Sequence, residues 1–450
     1  MKKGAFLVTA GLLVFFNSCQ KENQHQSQNT RALQNSTAKT NASSVHIGSA
    51  VATDWYKLQL RMILSANPAT NNALNAEAFA YMGIGLYESV RSGIKNSISL
   101  SKSLYQMPEM PEQDNNGYDL EVSANATLAS LVRRMYPWLT TANKASVDSL
   151  ENIYNENLSV AMESEKFQRS QEYGRNIAAI IYNWSTTDNY NVSNAGYTLP
   201  TSPVGVYIPT PPNFVKPVLP FISFSRPFLT EDGSGVCPPP LFAYSEDPSS
   251  DFYKMVRDLY DISKTLTSEQ RTMALYWNDV GIGVGYGPVG HVMNVVTEAI
   301  DQNGVDLGIA AQAYAKSGIA IREAQLLCFR SKYQYLQMRP VSYIRKVIDP
   351  TWLPLIPTPT HPEYPAAHAY ITTMVMTALT SVLGNDVGVV DHTYDFRGFA
   401  PRTFESLIKV GEESGFSRRY GGIHYLPSII VGLSEGKALG TRIGNIKLQE

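Results

Sequence analysis

The sequence predicts an all-α fold built from helical bundles. Apolar residues recur at helical spacing from Trp55 to Val90 and again from Phe167 to Trp184, whereas the apolar and polar alternation typical of strands is scarce. An apolar stripe along one face of a helix has to be buried against a neighbouring element. Packed helices are therefore expected to account for most of the chain.

Further helices follow the same rhythm along the sequence. Proline suits the first turn of a helix and interrupts its interior, so the prolines at 340, 365 and 427 mark helix boundaries. The predicted helices cover 126–138, 252–266, a stretch that begins at Ser268, 319–338, 366–384, 403–415 and a last one that begins near Pro427.

Residues 186–250 depart from this pattern because they carry much of the chain's proline. The runs YIPTPPNFVKPVLPFISF and CPPPLFAY contain too much proline for the interior of a helix or a sheet. Aromatic residues lie between the prolines and can bury against the helices. We therefore predict an ordered, irregular Pro-rich wrap over the helices, with a disordered linker as the alternative.

The composition fits one large globular unit. Of the 450 residues, 44% are hydrophobic and 17% are charged, so the chain can bury a large core. We expect residues 51–445 to form a single helical domain. The formal net charge of -2 gives no strong overall field, which argues against nucleic acid or an anionic membrane surface as a partner.

Residues 1–19 have the composition of an export signal. Two lysines precede the apolar run AFLVTAGLLVFF, which is too short to cross a bilayer comfortably. Cys19 follows small residues and resembles the lipidated cysteine of bacterial lipoproteins, although Phe16 stands where leucine is usual. Residues 20–50 are polar and are expected to form a disordered tether. The protein is predicted to be exported, either lipid-anchored at the outer membrane or cell surface, or released without an anchor.

Two cysteines remain, Cys237 and Cys328, and neither has a partner at metal-ligand spacing. No divalent metal site is therefore predicted. Cys328 lies in an apolar helical stretch, which favours a buried thiol over a disulfide with Cys237.

Cationic and imidazole side chains cluster at three places in the last quarter of the chain. Lys332 and Arg339 are seven residues apart, a spacing that places both on one helix face. His368 follows Pro365 at a predicted helix start, where free N–H groups and the helix dipole favour an anion.

The third cluster contains Arg418 and His424, which flank Gly421 and Gly422. Two glycines allow a sharp turn, so both side chains can face one point. Each cluster alone has an ordinary explanation, as a solvated basic face, a structural histidine or a helix-to-helix turn. Together they predict a pocket for a tetrahedral oxyanion, phosphate or vanadate, that needs no divalent metal.

The order and spacing of these clusters resemble a known superfamily. Residues 332–340 fit K-x6-R-P, residues 365–368 fit a variant of P-S-G-H, and residues 417–424 fit S-R-x5-H. This pattern resembles the superfamily of type 2 phosphatidic acid phosphatases, bacterial acid phosphatases and vanadium-dependent haloperoxidases. Segments 206–212 and 276–291 resemble its haloperoxidase-like bacterial branch. The resemblance implies two four-helix-bundle-like units of the vanadium chloroperoxidase and acid phosphatase type, with the site between helices.

The resemblance also implies a role for each motif residue. His424 would coordinate vanadate in a peroxidase or attack phosphorus in a phosphatase. His368 would be the general acid and base. The groups that would bind the oxyanion are the side chains of Lys332, Arg339 and Arg418 and a backbone N–H at Ala367.

Two departures from the family pattern affect this site. Ala366 and Ala367 stand where Ser-Gly is usual, which removes one neutral donor that contributes about 1–3 kcal/mol. Ser428 stands where an aspartate usually orients the histidine at the position of His424. For His291 and His361 a structural role is favoured, with a place near the pocket as the alternative.

The resemblance implies an enzyme. The first interpretation is a vanadium-dependent haloperoxidase that holds vanadate and oxidises a halide with hydrogen peroxide. The second is a phosphomonoesterase without a cofactor that works through a phosphohistidine at His424. The third is an inactive oxyanion-binding protein. The partners would be small molecules, a halide and peroxide or a phosphate ester, with the membrane reached only through a lipid anchor.

Overall fold

Caps, glycines and prolines written into the sequence determine where the helices begin, end and approach one another. The computed structural model describes residues 48–66, 72–111, 117–160, 162–201, 204–229, 235–279 and 285–450. The predicted export signal, the lipidation at Cys19 and residues 20–47 of the predicted tether lie outside these ranges.

Within the described ranges the chain forms thirteen α-helices and one two-stranded sheet, as the all-α prediction required. The helices are α1 Ala50–Ser65, α2 Asn72–Val90, α3 Leu120–Met135, α4 Thr141–Ser159, α5 Ser164–Ser185, α6 Asp251–Lys264, α7 Ser268–Tyr276, α8 Gly287–Gln302, α9 Leu307–Tyr335, α10 Pro340–Val347, α11 Ala367–Leu383, α12 Leu407–Tyr420 and α13 Leu426–Gly444. Strands β1 Val389–Asp391 and β2 Arg402–Phe404 pair antiparallel. None of the helices in these ranges has the length and hydropathy that a membrane span needs.

Several helices begin at a residue whose side chain accepts a backbone N–H. This bond satisfies a donor that has no partner inside the helix and contributes about 1 kcal/mol. The capping residues are Asp119, Thr140, Ser250, Thr267 and Asp306. The cap at Asp306 explains why α9 begins at Leu307, well before the predicted start at Ile319.

The prediction that Lys332 and Arg339 share one helix face is wrong. Helix α9 ends at Tyr335, and Leu336 adopts a left-handed conformation with φ of 48°. Arg339 is the N-cap of the next helix, α10, whose first residue is proline. A left-handed residue ends the helical hydrogen bonding, so the two cations belong to separate elements.

The predicted helix over 403–415 is also shifted. Thr403 lies in β2, which pairs with β1, and α12 begins at Leu407 and continues to Tyr420. Gly415 does not end this helix. A Cβ there would lie 3.0 Å from the Cβ of Ala369, so this glycine permits close helix packing instead. Arg418 therefore projects from the last turn of α12.

Helix α11 packs against α9, α12 and α13 and lies at the centre of the second half of the chain. Its contact with α13 is close because Gly432, Gly436 and Gly440 face it. A Cβ at Gly436 would lie 2.6 Å from the backbone oxygen of Tyr370, closer than real side chains come. These glycines fix the distance between α13 and α11, the helix whose first residues carry His368.

The Pro-rich wrap is ordered in its described parts and is attached to α9. The carboxylate of Glu323 accepts a hydrogen bond from the backbone N–H of Phe228 at 2.8 Å. Arg322 lies over the ring of Phe228, 4.4 Å from its centroid, and pairs with Asp188 at 2.7 Å. Cys237, also in the wrap, is a buried free thiol, as is Cys328 on α9.

Gly436→Ala should destabilise the protein by about 1–3 kcal/mol, because a methyl group would overlap the backbone of α11. Chemical denaturation measures this change. Lys437→Ala, on the exposed side of the same helix, is the control and should change stability by less than about 0.5 kcal/mol. A Gly436→Ala protein as stable as the wild type would show that the two helices can separate freely.

Candidate oxyanion site

A cavity of about 420 Å³ brings together residues from distant parts of the chain, among them α8, α9, α11, α12 and the loops before α11 and α13. Its polar wall contains His361 and His368, on either side of the start of α11, together with Arg418 from α12 and His424 from the loop before α13. Ala367 also lines it. The rest of the wall is largely apolar and includes Val218, Leu219, Val289, Phe329 and Ile371.

The start of α11 faces this cavity. Ala366 is the N-cap and offers no side-chain acceptor to the N–H groups that follow. The first N–H groups of a helix lack partners within the helix, and the helix dipole makes this end partly positive. Ala367 and His368 therefore present donors suited to an anion.

Lys332 does not line the cavity but supports the loop that leads to α11. Its buried ammonium group donates to the backbone oxygens of Pro362 and Glu363, each at 3.0 Å, and of Pro365 at 2.5 Å. Burial lowers the pKa of Lys332 to about 8. All three of its donors are used in this conformation, so its predicted contact with an anion would require release of one carbonyl.

Arg339 lies between two of the three imidazoles of the polar wall, those of His361 and His424. Nη1 donates to Nε2 of His424 at 3.1 Å and to the backbone oxygen of Ile423 at 2.9 Å. Nη2 donates to Nδ1 of His361 at 3.0 Å. Burial and the nearby cations hold the pKa of both histidines well below the usual value, so both rings are neutral.

Glu363 supplies the carboxylate that the sequence pattern lacks at Ser428. Its Oε1 accepts from Nδ1 of His424 at 2.8 Å and from the backbone N–H of Tyr425 at 3.0 Å. Burial raises the pKa of Glu363 to about 7. A carboxylate at Nδ1 fixes the tautomer with its hydrogen on Nδ1. The electron pair of Nε2 therefore accepts the hydrogen bond from Arg339 and becomes available to a ligand when that bond opens.

Sequence reasoning missed Glu363 because this residue lies outside the three motifs. The family pattern directs attention to the fourth residue after the histidine, whereas Glu363 lies 61 positions before it. The available signal was an isolated acidic residue in the apolar, proline-rich stretch HPEYPAAH.

Asp279 was missed as well, and it orients His368. Its Oδ2 lies 3.0 Å from Nε2 of His368. Burial and the charge of Arg418 lower the pKa of His368 to about 4. Arg418 itself is held by the backbone oxygen of Trp277 at 2.7 Å, so one short segment positions two residues of the site.

His291 and His361, the two histidines for which the sequence favoured a structural role, differ in their surroundings. His361, expected to be structural, lines the cavity and contacts Phe329 edge to face, with ring centroids 5.1 Å apart. His291 is fully buried and does not reach the cavity wall. Within the described ranges, no group of three His, Cys, Asp or Glu residues is arranged to hold a metal ion.

The chain is similar to known vanadium-dependent enzymes. Residues 312–449 match the model of the second helical-bundle domain of VCPO. A bacterial vanadium-dependent iodoperoxidase shares 26% sequence identity, with a TM-score of 0.81, over 91% of this chain and 100% of its own. A comparison with curated protein sequences gave no match.

More distant structures share the fold. A bacterial vanadium-dependent chloroperoxidase in its holo form is 14% identical, with a TM-score of 0.63, over 85% of this chain and 93% of its own. Its apo form gives the same identity and TM-score over 84% of this chain and 95% of its own. At this level of identity the likeness establishes the all-helical fold alone.

Glu363→Gln should weaken binding of orthovanadate by about 10- to 100-fold, because a neutral amide no longer holds Nδ1–H of His424 as strongly. Isothermal titration calorimetry of the purified protein measures this affinity. Glu246→Gln is the matched control, since Glu246 pairs with Lys346 at the surface. Equal affinities for the Glu363→Gln protein and the wild type would contradict the role given to Glu363.

Proposed function

We propose that this chain, which belongs to the superfamily of vanadium-dependent haloperoxidases and type 2 acid phosphatases, is a vanadium-dependent haloperoxidase that oxidises a halide with hydrogen peroxide. The observation that carries the proposal is the neutral imidazole of His424, which Glu363 holds at Nδ1 while Nε2 faces a cationic wall. The similarity to a bacterial iodoperoxidase over nearly the whole chain supports the same choice.

The residues of the site fit vanadate. A tetrahedral oxyanion needs converging donors, and the cavity offers the guanidinium of Arg418 and the N–H groups at the start of α11. Arg339 lies beside His424 and adds a second permanent cation. The motif resemblance gives His424 the role of vanadate ligand, and the neutral ring has its electron pair on Nε2. When bound, vanadate would supply the activation of peroxide towards attack by a halide.

His368 would move the proton in this reaction. Its Nε2 is held by Asp279, so Nδ1 remains for the cavity. With a pKa lowered to about 4, the ring is neutral at physiological pH but a weak base; an anion bound beside it would raise this pKa and make the ring a better proton acceptor. His368 would take a proton from entering peroxide and return it as the product leaves.

A phosphomonoesterase is the second candidate. The contact between Glu363 and His424 makes it a stronger candidate than the motif pattern alone did, because this chain has Ser428 where an aspartate is usual. A nucleophilic histidine needs a carboxylate partner to stabilise the cation that forms, and Ser428 alone could not serve. The hydrogen bond between Glu363 and Nδ1 of His424 supports that role for Glu363. The same site could therefore form a phosphohistidine at His424, and an inactive oxyanion-binding protein remains the third candidate.

Addition of vanadate to the metal-free full-length protein should switch on oxidation of iodide or bromide by peroxide. His424→Ala should reduce this activity to background, because the vanadate would lose its protein ligand. His392→Ala is the control, since His392 is exposed and pairs with Asp395 away from the cavity.

The same preparation distinguishes the alternatives. Release of phosphate from an aryl phosphate, inhibited by vanadate and without halide oxidation, would identify a phosphatase instead. Tight binding of vanadate with neither activity would identify a binding protein. Full halide oxidation by His424→Ala would contradict the assignment of the site.

A further inference from the structure

A buried chain of alternating histidines and carboxylates lies behind His368. Nε2 of His368 contacts Oδ2 of Asp279 at 3.0 Å, and Oδ1 of Asp279 contacts Nδ1 of His291 at 2.9 Å. Nε2 of His291 then contacts Oδ2 of Asp391, in strand β1, also at 2.9 Å. The side chains of His291, Asp279 and Asp391 are fully buried.

Both ring nitrogens of His291 face a carboxylate, and this arrangement determines the charge of the imidazole ring. A neutral imidazole has one donor and one acceptor, and its acceptor nitrogen would repel a carboxylate oxygen. The ring is therefore an imidazolium that donates to both aspartates. Burial opposes this charge, but Asp279 and Asp391 raise the pKa of His291 to about 10.

The surroundings hold this cation rigidly. Trp277 stacks on the imidazole with ring centroids 4.2 Å apart, and the hydroxyl of Tyr394 donates to Oδ1 of Asp279 at 2.7 Å. The charged and titratable groups that face His291 or its partner Asp279 are Asp391, Glu298, Tyr276, Tyr394, His368 and Arg418.

We propose that His291 is a positioning residue for His368: it holds the Asp279 carboxylate in place, and Asp279 in turn fixes the ring and tautomer of His368. The proposal rests on the acid and base function proposed for His368. His291 does not line the cavity, so it acts only through Asp279. A buried cation between two anions often contributes no more to the stability of a protein than apolar residues of similar size. Stability alone therefore does not account for the buried arrangement of His291 with its two aspartates.

The tautomer of His368 connects this chain to the cavity. An ionised Asp279 accepts from Nε2–H of His368, so the electron pair lies on Nδ1. Without the cation at His291, the buried carboxylates of Asp279 and Asp391 would share one hydrogen-bond donor fewer. Asp279 would then take up a proton, and it could donate to Nε2 and move the hydrogen of His368 to Nδ1.

Histidine-selective ¹⁵N labelling of the full-length protein tests this directly, because the chain has only seven histidines. His291 should give the signal of a doubly protonated ring from pH 6 to 8.5, and His368 that of a neutral ring with its hydrogen on Nε2. Single His→Gln variants assign the signals. In His291→Gln, the hydrogen of His368 should no longer be confined to Nε2, whereas His392→Gln should leave it unchanged.

A double-mutant cycle gives the second readout. His291→Gln and Asp279→Asn should each lower kcat for halide oxidation by about 10- to 100-fold with a smaller change in KM for peroxide. The double variant should lose little more than Asp279→Asn alone, because His291 acts through that carboxylate. Multiplied losses, or a neutral His291 at pH 7 in the wild type, would overturn the proposal.

Asp391→Asn provides a milder perturbation if His291→Gln does not fold. It keeps the size and one acceptor but removes a charge, so it should lower the pH at which His291 titrates. An unchanged titration would show that Asp391 does not hold the imidazolium, which would also overturn the proposal. If the wild type oxidises no halide, the proposed function fails while the labelling experiment still decides whether His291 controls His368.

Discussion

The hydrogen bond between Glu363 and His424 is the interaction on which the cavity depends. Three further groups hold the two residues in this arrangement. Lys332 binds the backbone around Glu363, the N–H of Tyr425 donates to its carboxylate, and Arg339 contacts the far side of His424. Lys332, Arg339 and Glu363 are buried, and a buried charged group is tolerated only when its hydrogen-bond partners are in place. These hydrogen bonds therefore select one arrangement of three distant segments.

Helix packing brings the remaining groups of the site to the same cavity. The three glycines of α13 let it lie close to α11, so the start of α11 and the loop before α13 meet at one cavity. Helix α12 packs on the same helix and brings in Arg418. A glycine-dependent contact between helices thus positions both the N–H donors and one permanent cation.

Two of the three cavity histidines, His368 and His424, are tuned in a parallel way. Each has one ring nitrogen held by a buried carboxylate, and each is kept neutral by burial and nearby cations. The second nitrogen of His424 accepts a hydrogen bond from Arg339, which a ligand would have to replace. A neutral ring can act as a ligand, a nucleophile or a base. This is why the same geometry suits a haloperoxidase and a phosphatase, and why the nature of the bound oxyanion decides between them.

The sequence by itself determined the all-helical class, most helix positions, the wrap and the motif residues, because these depend on local spacing and on residue type. Only the tertiary structure decided which side chains meet. It separated Lys332 from Arg339 at Leu336, placed Arg418 in α12 and brought Glu363 and Asp279 to the two histidines. The motif pattern predicted that His368, Arg418 and His424 share a pocket, but the contacts of Glu363 and Asp279 lie outside the motifs and leave no local periodicity, so the pattern could not specify them.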